Sequence, residues 1–82
     1  MLARYMHAAM QQARYECIEE DEERMIFATI PNFAGLWATG ETREQAATEL
    51  ASVLEGWVLV GLAHQHPLPI VAGIDLAVHA VA

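Results

Sequence analysis

The sequence predicts a single α+β domain in the order helix, three-stranded antiparallel meander, long helix and short edge strand. Three observations predict it. Apolar residues at helical spacing open the chain, two strand-like runs flank an acidic turn, and a second helical period begins after Thr42. The 82 residues suffice for one small domain and not two. Its parts are a helical extension at 1–14, a core at 15–71 and a tail or arm at 72–82.

The first helix follows from Leu2, Tyr5, Met6, Ala9, Met10 and Ala13, spaced by three and four. Arg4, His7, Gln11, Gln12 and Arg14 occupy its other side. That polar side has too few cations for a membrane-surface helix. Tyr15 to Glu20 then reads as a strand with Tyr15, Cys17 and Ile18 inward. The run Glu19–Glu20–Asp21–Glu22–Glu23 forms a hairpin tip, since five adjacent like charges must face water. It lacks the glycine and spacing of a calcium loop.

Met25 to Ile30 is the return strand. Both of its faces are apolar (Met25, Phe27 and Thr29 on one, Ile26, Ala28 and Ile30 on the other), which predicts cover on each side. Pro31 suits a strand end because it lacks an N–H. Gly35 and Gly40 can take positive φ on either side of a third strand, Leu36–Trp37–Ala38–Thr39, with Trp37 expected in the core. Thr42 and Gln45 form a capping box for a helix from Arg43 to about Ala63.

Ala46, Ala47, Leu50, Ala51, Leu54, Trp57 and Val58 make that helix's apolar stripe. Beyond Trp57 little polar face remains, which predicts a second cover there. Trp57, Val60 and Leu62 are the candidate self-association residues, and the expected assembly is a homodimer or higher homo-oligomer. The Leu50–Leu62 window contains Glu55 and reads as short of a membrane span. His64 and His66 fit a helix end before Pro67, the segment from Pro67 to Val71 leads into the edge strand, and Gly73–Ile74–Asp75 reads as a turn. From Leu76 the apolar tail could be a strand, an arm across a dimer or a frayed end.

Composition excludes several functions. Four basic against 11 acidic residues give a net charge of −7, which opposes direct nucleic-acid binding and suits a basic protein partner. Cys17 is the single cysteine, so no internal disulfide forms and a soluble cytoplasmic location is expected. Catalysis is not expected: no nucleophile, base and orienter converge, and no acid is centred in a strand to hold a metal. No cofactor or metal site is predicted.

Residues 15–71 carry a resemblance. An aromatic in the first strand, an acidic hairpin tip, Ile30–Pro31, Phe33–Ala34–Gly35, Ala38–Thr39–Gly40–Glu41–Thr42, Glu44–Gln45–Ala46 and Pro67–Leu68–Pro69 occur in order. Together they resemble the HicB antitoxin family and its small HicB-like members. Ala34 stands where that family usually has proline, and Gln45 where it often has glutamate.

The resemblance implies a truncated ribonuclease-H-like fold. It also implies a homo-oligomeric antitoxin that masks a small, basic, mRNA-cleaving toxin of the HicA type. Glu19, Glu20, Asp21, Glu22 and Glu23 would be the toxin-facing patch. The 11 residues after Val71 are too few for the DNA-binding module of many such antitoxins, so no operator binding is expected. The alternative reading is a stand-alone structural or regulatory homo-oligomer without a toxin.

Overall fold

The computed structural model describes residues 2–74. The elements are α1 (Leu2–Gln11), β1 (Arg14–Glu20), β2 (Glu23–Thr29), β3 (Trp37–Gly40) and α2 (Arg43–Ala63). The strands form one antiparallel sheet in the order β1-β2-β3. Helix, meander and long helix follow the expected order. The edge strand expected near Val71 is not seen among the described residues. Instead Val71 and Ile74 pair across a two-residue turn, with Ala72 at φ 49° and Gly73 at φ 77°. Positive φ at both central residues is the pattern of a tight hairpin turn. The tail from residue 75 onward, including the expected arm, lies outside the described residues.

The connection from β2 to β3 is two consecutive tight turns. Phe33 N–H donates to Ile30 O (3.2 Å) and Leu36 N–H to Phe33 O (3.1 Å). Each turn carries positive φ at its third residue, Asn32 at 72° and Gly35 at 77°, as a type II turn requires. Pro31 fills the second position of the first turn, where its fixed φ fits. The two turns place Ile30, Phe33 and Leu36 in the core.

Gly40 does not share the positive φ expected of it. It is needed for space, since a Cβ there would lie 2.5 Å from the backbone N of Ala46. The strand end therefore runs directly against the first turn of α2.

Thr42 caps α2 as expected: its Oγ1 accepts from Gln45 N–H at 3.1 Å. The Gln45 side chain reaches back one residue further than a capping box requires, its Oε1 accepting from Glu41 N–H at 3.0 Å. Thr42→Ala is expected to destabilise the domain by about 1 kcal/mol, measured as a lower urea midpoint at unchanged slope. At the other end His64 N–H donates to Val60 O, Gln65 N–H to Leu62 O and His66 N–H to Gly61 O. Gln65 takes φ 57°. This is a Schellman stop with glutamine in the position usually held by glycine, and it confirms the helix end read at His64–His66.

The core lies between the sheet and the helices. Ala46, Leu50, Leu54 and Val58 recur every fourth residue of α2 and are buried with Ala28 and Ala38 of the sheet. Tyr5 and Ala9 bring α1 into the same core. The Tyr5 hydroxyl donates to Pro69 O at 2.6 Å, joining α1 to the segment after α2. Phe33 sits at the junction, its ring centroid 6.3 Å from Tyr5 and 5.0 Å from Trp57.

Three sequence expectations fail on the sheet. Trp37 is 54% exposed and lies outside the core. Cys17 is exposed and Ile18 is 43% exposed, so of the three residues read as inward in β1 only Tyr15 is partly buried. Ile18 and Trp37 lie on the uncovered face, because the described chain supplies one helical layer on one side of a sheet expected to be covered on both, whereas Cys17 shares the face of Tyr15 but lies nearer the hairpin, outside the core. At 21 residues, with mean hydropathy 1.4 over an 18-residue window, α2 is also long and apolar enough to cross a membrane by length and composition, contrary to the shorter window expected. A helix with one face on a sheet and another apolar face left open meets the same criterion.

Candidate functional site

The acidic run is placed as predicted, at the hairpin that joins β1 to β2. Glu20 and Glu23 are directly opposed across the strands, and Asp21 and Glu22 form the two-residue turn between them. Both turn residues have positive φ, 54° and 67°. Asp–Gly or Asn–Gly would suit those dihedrals better. A non-glycine residue such as Glu22 in the left-handed region costs about 1–2 kcal/mol. The opposed Glu20–Glu23 pair is unfavourable as well, because like charges facing each other repel.

Among the described residues, Arg24 is the cation paired with the run. Arg24 pairs with Glu19 across the ladder, its Nε 4.0 Å from a carboxylate oxygen. The same Nε donates to Cys17 Sγ at 3.1 Å. That hydrogen bond, with the nearby Glu19 carboxylate, raises the Arg24 pKa above its ordinary value; the guanidinium is charged at neutral pH in any case. Both partners of the ion pair are about 70% exposed, at 70% and 71%, so the pair adds little stability. Glu20, Asp21, Glu22 and Glu23 all face solvent. Among the described residues, no three His, Cys, Asp or Glu side chains are gathered to hold a metal ion.

The structure separates the three candidate self-association residues. Trp57 is partly buried on Phe33, whereas Val60 is 56% exposed. They share a groove of about 560 Å³ lined by Val53, Gly56, Trp57, Val60, Pro67 and Leu68. Leu62 is exposed on a different side, because two residues advance a helix by about 200°. Leu59 is exposed too and was not singled out by the sequence pattern.

Sequence reasoning also missed the outer sheet face, where Phe27 and Trp37 stack with ring centroids 5.6 Å apart. Alternation in β2 put Phe27 opposite Ile26 and Ala28, but alternation alone does not say which face the helices cover.

A family model described as UPF0150-like matches residues 4–69. The chain belongs to the UPF0150-like family. Among solved structures, this UPF0150-like chain is similar to TTHA0281 from Thermus thermophilus at 33% identity, over 92% of this chain and 90% of that one, with a TM-score of 0.81. No curated protein matches it.

Proposed function

We propose that this UPF0150-like chain is a HicB-like antitoxin module that neutralises a small, basic, HicA-type mRNA-cleaving toxin by binding, without catalysis of its own. The observation that carries the reading is the exposed run Glu19–Glu23 on a projecting hairpin, with Arg24 as its nearby counter-charge. Conformational cost supports it: glutamate occupies a left-handed turn position and faces like charge, so local stability does not account for the charge. Such a tip competes with RNA phosphate for a cationic surface and steers a basic partner towards the chain.

The test is RNA cleavage by a purified HicA-type toxin from the same genome, titrated with this protein. Cleavage is expected to fall to zero near stoichiometric addition. Undiminished cleavage at a large excess would overturn the reading.

A second reading is a homo-oligomer without a toxin, and the open groove beside Val60 favours it. Residues 53–63 carry only one charge, Glu55, so two copies of an acidic chain can meet there with little repulsion. If so, Val60→Glu is expected to convert the oligomer to monomer in sedimentation equilibrium while leaving thermal stability nearly unchanged. A sedimenting mass that does not move would exclude Val60 from the interface.

A further inference from the structure

Among the described residues, the helices cover the sheet on one side only. Directly paired residues of an antiparallel sheet project to the same face. Tyr15, Ala28 and Ala38 therefore share the helix-covered face, as do Cys17 and Ile26. The opposite face presents Arg14, Glu16, Ile18 and Glu20 from β1, Glu23, Met25, Phe27 and Thr29 from β2, and Trp37 and Thr39 from β3. Of these, Ile18, Met25 and Trp37 are 43%, 44% and 54% exposed, and none packs against the core. Single exposed apolar residues are ordinary, but a contiguous apolar strip along one sheet face marks a contact surface.

Charge decides what fits there. Glu16 is paired with Phe27, beside the Phe27–Trp37 stack, and Glu20 and Glu23 continue the same face towards the hairpin tip. Three glutamates thus stand against one arginine, Arg14. A second copy laid face to face would bring two such sets together. Stacked aromatics on a sheet can also hold nucleobases, but the glutamates repel phosphate. An aromatic surface beside a carboxylate suits a guanidinium, which stacks on the ring and pairs with the carboxylate at once.

We propose that the outer sheet face is the docking surface for a basic protein, with an arginine of the partner lying on the Phe27–Trp37 pair and its guanidinium against Glu16. This deepens the antitoxin reading and rests on it for the partner's identity. The tip steers the partner, and the sheet face holds it.

In the Trp57→Phe chain, Trp37 is the sole tryptophan emitter. Its fluorescence is titrated with a short peptide alternating arginine and leucine, with the matching glutamate–leucine peptide, and with a short single-stranded RNA. The arginine peptide is expected to give a saturable change, its midpoint rising about ten-fold or more in Glu16→Lys and not in Glu49→Lys, the same charge change on α2. Four results would overturn the proposal: no response, an equal response to the glutamate peptide, a response to RNA in place of the arginine peptide, or a midpoint indifferent to Glu16→Lys.

Calorimetry on the unsubstituted chain provides a second measurement. Trp37→Ala, outside the core, is expected to remain folded and lose the binding heat; unchanged binding overturns the proposal. The two readings fail separately. Toxin inhibition that survives Trp37→Ala removes the docking surface alone. Arginine-peptide binding without toxin inhibition removes the toxin alone.

Discussion

Leu54→Ala is expected to destabilise the domain by about 2–5 kcal/mol, the range for a large-to-small change in a closed core. Leu54 is fully buried in the middle of α2, in the same cluster as Ala28 and Ala38 on the sheet and Leu50 and Val58 along the helix. Leu54 has no exposed surface, so its truncation leaves a cavity that the close-packed core refills only in part. A domain of this size has a total stability of about 5–15 kcal/mol at most, and each kcal/mol moves the melting temperature by about 4–8 °C. The thermal midpoint should therefore drop by roughly 10 °C or more. Val60→Glu on the exposed side of the same helix provides the contrast. A Leu54→Ala chain that melts with the parent would mean that α2 does not pack on the sheet as described.

Replacing Glu19, Glu20, Glu22 and Glu23 by glutamine and Asp21 by asparagine is expected to slow toxin association by about 10- to 1,000-fold at low salt. It should also flatten the dependence of that rate on ionic strength, because screening over about 10 Å at 0.1 M then has little left to screen. The sign on stability runs the other way. Removing the opposed Glu20–Glu23 charges and the crowding at the turn relieves repulsion, so the variant should melt no lower than the parent. A loss of binding then reports charge and not unfolding. An association rate that keeps both its value and its salt dependence would remove the tip from the recognition surface.

The elements with a local cause were legible in the sequence. Thr42 and Gln45 announced α2 through capping chemistry that needs no distant partner, and His64 to Pro67 announced its end. The adjacent carboxylates between Ile18 and Met25 could lie only at a solvated hairpin tip. Trp37 was misread because its exposure depends on how many layers the chain supplies. The alternation of Met25, Phe27 and Thr29 with Ile26, Ala28 and Ile30 is the same whether the outer face meets another part of the chain or another molecule. Gly40 was misread for a related reason: a glycine kept for close approach by Ala46 N cannot be told in sequence from one kept for positive φ. The candidate site divides in the same way. Its acidic tip was legible, whereas its aromatic face required knowing which side the helices take.

Whether this chain binds and masks a basic ribonuclease is decided by calorimetric titration with a catalytically inactivated HicA-type toxin from the same genome. Saturable binding is expected, with a dissociation constant below about 1 μM, and it weakens as salt rises. Absence of binding heat at tens of micromolar and at more than one temperature, with both proteins folded, would contradict it.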